Sequence, residues 1–224
     1  MPKGVRYQNY SLTRKKMSKC NCPNPTSLTT IPSNDCPINL KQIQKVGFQR
    51  QGYEFDASLV TPTSPSVQAD WDVLIAAADD TKAVFSPLIG GDPIIEPGEA
   101  ITEGGGDNST LNGVEEVTGT NPASFSANFK EISPEQEAAL KELICEKKLV
   151  VYFVNEDNNI IVKKIDDDKK TGFDIQSFFF GDRGNQGFGT KDINVMSFQL
   201  KAGWSEAIEI IEPEPGFNPL VDLV

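Results

Sequence analysis

The sequence predicts a mainly β (α+β) chain, an antiparallel β-sandwich or barrel with one or two flanking helices and a long inter-strand arm. Three observations carry this. Seven or eight short strand-like segments run along the 224 residues, joined by hairpin-type turns with no repeated βαβ rhythm. Two helical segments interrupt them. Between the strand-like segments Thr81 to Ile89 and Ala123 to Glu131 lie thirty residues, Gly90 to Gly119, holding eight glycines and two prolines. An irregular connection that long is uncommon inside a compact domain and is usually functional or disordered.

Taken in order, Lys41 to Arg50 alternates polar residues with Val46 and Phe48 and reads as the first strand, which Tyr53 to Val60 continues or pairs. Val67, Trp71, Leu74, Ile75 and Ala78 recur at helical spacing. Ser64 and Pro65 offer that helix a cap and a first-turn proline, and it should end near Asp79-Asp80. Ser133-Pro134-Glu135-Gln136 sets a capping serine, a first-turn proline and a capping-box glutamine ahead of the stripe Ala139, Leu140, Leu143 and Ile144. Leu149 to Val154 and Ile160 to Ile165 flank Asn155 to Asn159 as a hairpin. Phe173 to Phe180, Asn194 to Lys201 and Ala207 to Ile211 complete the strands, and Trp71 and Trp204 read as core and corner packing.

The expected organisation is an extended N-terminal arm over 1–37, one β-rich domain over 38–212 with the arm 90–119, and a tail over 213–224. Residues 1–16 look foreign to the rest of the chain. They read as an extension upstream of Met17 or as a basic arm for an acidic neighbour.

Charge is unevenly distributed. All 32 acids lie after residue 19, where only 15 basic groups oppose them, a net of −17. Such a body repels nucleic-acid phosphates, so the reading is either solubility or a surface past which DNA slides without sticking. No run approaches the roughly 18 to 20 apolar residues that span a bilayer, and no apolar stretch follows the basic N-terminus as in a secretory signal.

Chemistry finds little footing. The chain has no histidine, which removes the commonest general base and the usual hydrolytic triads. Cys20, Cys22, Cys36 and Cys145 lack zinc-site spacing and read as free thiols. Gly181 to Lys191 has Thr190-Lys191 where a phosphate loop needs Lys then Ser or Thr, and a strand follows it. The clusters Asp79-Asp80, Glu156-Asp157 and Asp166 to Asp168 lack EF-hand spacing. Some pair of acids could still serve hydrolysis, but nothing singles one out. The expectation is no enzyme, no catalytic residue, no metal and no cofactor.

The arm is the candidate site. Ile94, Ile95, Ile101 and Leu111 are apolar anchors, while Gly104, Gly105, Gly106, Asn108, Asn112 and Gly113 supply turns. Together they suit a segment that orders on a neighbouring subunit.

With these residues in view, the chain resembles structural proteins of tailed bacteriophages, most closely major tail or tail tube proteins. The likeness rests on Trp71-Asp72-x-Leu74, Asp79-Asp80-Thr81-Lys82, Ser86-Pro87-Leu88-Ile89 and the Gly104 to Gly113 loop. It continues through the helix from Ser133, Val151-Tyr152-Phe153-Val154-Asn155, Gly181-Asp182 and Gly203-Trp204-Ser205, over about two-thirds of the chain. The resemblance implies a β-sandwich with a flanking helix, stacked hexameric rings around a DNA-conducting lumen, and a long loop touching the adjacent ring. It implies a virion component made in the host bacterial cytoplasm. Its partners would be itself and other virion proteins, with DNA only as non-sticking cargo and no membrane. A neck, tail-terminator, head-decoration or fibre-type binding module is the alternative.

Overall fold

The computed structural model describes residues 27, 28, 30, 31, 33, 37–106, 109–185 and 187–224. Most of the expected N-terminal arm therefore lies outside the described residues. The elements are β1 (Ile43–Arg50), β2 (Phe55–Asp56), α1 (Gln68–Ala76), β3 (Ala83–Phe85), β4 (Gly91–Glu96), β5 (Ala100–Glu103) and β6 (Glu116–Thr120). There follow β7 (Ala123–Lys130), α2 (Pro134–Glu142), β8 (Leu149–Asn155), β9 (Ile160–Lys164) and β10 (Lys169–Thr171). The chain closes with β11 (Phe173–Phe180), β12 (Ile193–Leu200), β13 (Ile208–Ile211) and a short α3 (Pro219–Asp222).

Within the unit Cys36–Ile101 with Gly119–Val224, eleven strands form a branched antiparallel sheet that folds over on itself. One layer centres on β8, which pairs with β1 on one side and with β9 and the start of β11 on the other. β3 extends this layer beyond β1, and β13 beyond β9. The second layer runs β11-β12-β7-β4. β11 belongs to both, because Phe173 and Asp174 pair with β8 whereas Ile175 to Phe180 pair with β12. A register shift between Gln176 and Phe179, with Ser177 at φ 55°, marks the bulge on the β12 side of that crossing. The mainly β sandwich expected from the sequence is what the chain forms.

Residue pattern explains the layering. β7 alternates strictly, burying Ala123, Phe125, Ala127 and Phe129 and presenting Ser124, Ser126 and Asn128 on the other face. β8 is buried on both faces along its whole length, so its run LVVYFVN is continuous rather than alternating. Leu149, Val151 and Phe153 enter a first core against β7, β11 and β12, where Phe125, Phe153 and Phe198 pack with centroids 4.7 to 6.2 Å apart. Val150, Tyr152 and Val154 enter a second core with Phe55, Trp71 and Leu74.

Trp71 is fully buried, its rings 4.7 Å from Phe55 and 5.1 Å from Tyr152, and its indole N–H donates to the Pro65 carbonyl at 2.9 Å. The tyrosine hydroxyl donates to Gln49 Oε1 at 2.8 Å, and burial raises its pKa well above the ordinary phenol value.

Local expectations are partly corrected. α1 begins one residue after Val67, whose side chain caps nothing. Ser64 and Pro65 stand in the preceding loop, because buried Asp70 accepts from the Thr63 N–H and hydroxyl and from the Ser64 N–H at 2.7 to 2.9 Å. That carboxylate fastens the loop outside the helix. α2 carries the expected capping box: Ser133 Oγ accepts from the Gln136 N–H, and Gln136 Oε1 accepts from the Ser133 N–H. The stripe expected beyond it is shorter, since the helix stops at Glu142 and Ile144 is exposed in a 3-10 turn.

The tail over 213–224 packs against the second core. Phe217 and Leu223 are buried in the second core, and the buried Lys45 ammonium donates to the carbonyls of Leu220 at 2.9 Å and Leu223 at 2.5 Å. Desolvation lowers the Lys45 pKa, with Asp222 opposing it.

Candidate assembly surfaces

The segment expected as an irregular arm over 90–119 holds β4, β5, a 3-10 turn and β6 among its described residues. Its first part belongs to the body. Ile94 and Ile95 lie in β4, opposite Ser126 and Phe125 of β7. Ile95 packs on the first core, and Ile94 is about half exposed. The correction has a physical cause: Gly91 to Glu96 alternates, so one face can close the core while the strand edges the sheet. Pro93 within it is compatible with an edge position.

The remainder is a ribbon. Among the described residues β5 pairs with β6 in a two-stranded sheet of its own, and residues 102–118 fall outside the compact unit described above. At its far end Gly104, Gly105 and Gly106 have φ of 96°, 81° and 150°. A Cβ on Gly104 would stand 2.4 Å from Thr110 Oγ1 and 2.5 Å from the Val114 carbonyl oxygen, so only glycine fits. A 3-10 turn at Leu111–Gly113 follows, with Asn112 and Gly113 at φ 59° and 65°. The Gly105 N–H donates to the Gly113 carbonyl at 3.1 Å, and the Thr110 hydroxyl donates to the Val114 carbonyl. Asn108 lies outside the described residues. Leu111, Val114 and Val117 are exposed, Leu111 at 81%, and Ile101 is exposed as well. Thus Gly104, Gly105, Gly106, Leu111, Asn112 and Gly113 fall within 102–118, whereas Ile94 and Ile95 belong to β4 of the large sheet and Ile101 to β5.

At the ribbon's root, between β4 and β5 and between β6 and β7, the two chain segments meet. Asn121 donates its N–H to the Glu99 carbonyl at 2.8 Å. Gly98 sits so close that an added Cβ would be 1.8 Å from the Asn121 carbonyl oxygen.

A second surface escaped sequence reasoning. A groove of about 980 Å³ opens between the β1–β3 margin, α2 and the C-terminal segment. Its floor is apolar, formed by Phe48, Val84, Ile132, Leu140 and Leu143. Leu88 and Val221, more than half exposed, stand in its walls. One rim is fixed by Arg50, which donates to Glu146 at 2.5 and 3.1 Å and also to Asp80. That hydrogen bonding holds the Glu146 carboxyl below the usual range. Lys82 and Lys130 also line the groove, and neither ammonium makes an ion pair among the described residues. The apolar positions Val84, Phe85 and Leu88 were the available signal, but they read as one ordinary strand.

Elsewhere the chemistry is bland. The Gly181 to Lys191 loop closes through a bridge between Gly184 and Ile193, and β12 follows it. Cys145 is exposed with a free thiol. Among the described residues no helix is long and apolar enough to cross a membrane.

No family model matches the chain, and no curated protein matches it. Among solved structures, the tail of an empty GTA particle, computed with helical refinement under C6 symmetry, is similar at 13% identity and a TM-score of 0.31. The match covers 53% of this chain and 79% of that one. A likeness that faint decides nothing about function.

Proposed function

We propose that the chain is a non-enzymatic phage virion structural protein that assembles with copies of itself, as a tail tube or major tail subunit. One observation carries the reading. The β5–β6 ribbon holds Leu111, Val114 and Val117 in water on a framework of glycine turns and cross-strand hydrogen bonds. Apolar side chains displayed together on a paired ribbon mark an interaction site. The sequence resemblance to tail tube proteins supports the same role. The acidic composition supports it too, since a surface of that sign lets DNA pass without adhering.

Electron micrographs of concentrated protein test this. Rings or tubes are expected, and deletion of Gly104–Gly113 should leave folded single copies. A small closed oligomer whose state ignores the deletion would instead favour a decoration or fibre-type module.

A further inference from the structure

We infer that Asn112, in the turn between β5 and β6, is a site of spontaneous deamidation whose rate is set by the opening of that turn. Asn112 is the one asparagine of the chain followed by glycine. Every other asparagine precedes a residue with a side chain, which crowds the backbone nitrogen that must attack. Asn112 is exposed, and its carboxamide makes no hydrogen bond among the described residues. By contrast, Asn155 and Asn194 are buried and donate to the Leu40 and Gly181 carbonyls. The reaction needs water and nothing else. The Gly113 backbone nitrogen attacks Asn112 Cγ, a C–N bond forms, and the former amide leaves as ammonia, carrying the Gly113 proton. Water then opens the five-membered imide at either carbonyl, giving aspartate or isoaspartate.

The folded turn restrains this chemistry. The Gly113 N–H donates to the Thr110 carbonyl at 3.2 Å. Asn112 sits at φ 59° and ψ 22°, which holds its Cβ and the Gly113 nitrogen far from the eclipsed arrangement that the ring requires. Both restraints go when the turn opens, and a two-stranded ribbon is stable enough only to open often. Conversion then marks the ribbon. Either product adds a carboxylate beside exposed Leu111 and Val114, in a stretch from Glu99 to Thr118 that holds acids and no basic residue. Isoaspartate also runs the main chain through its own Cβ, lengthening the turn that the Gly105 N–H to Gly113 carbonyl bond closes. On the assembly reading above, on which this consequence alone rests, a converted chain associates less.

Full-length protein held at mildly alkaline pH, folded in one sample and in denaturant in the other, tests the site. Peptide mass spectrometry follows the amide-to-acid mass change at each asparagine with time. Asn112 should convert first in both samples, about tenfold or more slowly in the folded chain than in denaturant. An unconverted Asn112 in the folded chain, another asparagine ahead of it, or equal rates in the two samples would overturn the inference. Sedimentation velocity then reads the consequence, comparing the aged intact chain with equally aged Asn112→Gly, which keeps the positive φ without the amide. The intact chain should lose association on ageing that the variant keeps. Converted protein that associates as before would leave the modification standing and count against the ribbon as an interface.

Discussion

Replacing Gly98 by alanine should unzip the ribbon and leave the sandwich standing. The new Cβ would lie 1.8 Å from the Asn121 carbonyl oxygen, which is backbone and cannot rotate aside. The two segments must separate by more than an ångström, and the Asn121 N–H to Glu99 bond at 2.8 Å is the rung that gives way. Overpacking of this kind costs about 1–3 kcal/mol, and the lost hydrogen bond about 1 kcal/mol. A two-stranded ribbon is itself only marginally stable, so a perturbation of this size is comparable to all that holds it. Gly119 is the control. Its added Cβ would meet Ile101 at 3.6 Å, an ordinary contact, so Gly119→Ala should be silent. Amide hydrogen exchange reads the result: Gly105 and its ribbon neighbours should exchange about five- to hundredfold faster in Gly98→Ala. Amides of β8 and β12 should keep their protection. Unchanged ribbon protection, or loss that begins in the β8 core, would refute this reasoning.

Asp70→Ala removes the acceptor of two loop N–H groups and one hydroxyl, and should cost about 1–3 kcal/mol in denaturant unfolding. Lys45→Met leaves the Leu220 and Leu223 carbonyls without their donor; limited proteolysis should then cut within 213–224 before it touches the sheets. Acid should destabilise the fold in a defined direction. The Ser58 hydroxyl and amide, then Lys169, hold the Asp56 carboxyl below its ordinary value. Its contribution is therefore full above the unfolded pKa of about 3.9 and lost as pH falls through the lower folded value. Thermal unfolding from pH 7 to pH 3 should show the decline, flattened in Asp56→Asn.

The sequence disclosed the body better than its working surfaces. Strict alternation over Ala123 to Phe129 and the unbroken apolar run of β8 are signals that burial itself imposes, one-sided and two-sided respectively. The Ser133 capping box is local and was equally readable. Failures came where distant partners decide. Ser64 and Pro65 have the chemistry of a helix start, but Asp70 and the Trp71 indole claim that loop. Glycine density made 90–119 read as irregular, whereas Ile95 finds the first core and the glycines make the turns of a paired ribbon. The groove was invisible because its walls come from β3, α2 and the C-terminal segment, which only folding brings together.

The most direct test of the assembly role is sedimentation velocity of the intact chain against the Gly104–Gly113 deletion across a concentration series. The account predicts that the intact chain shifts to large species as concentration rises, while the deletion stays a folded monomer throughout. Identical sedimentation of the two would contradict it.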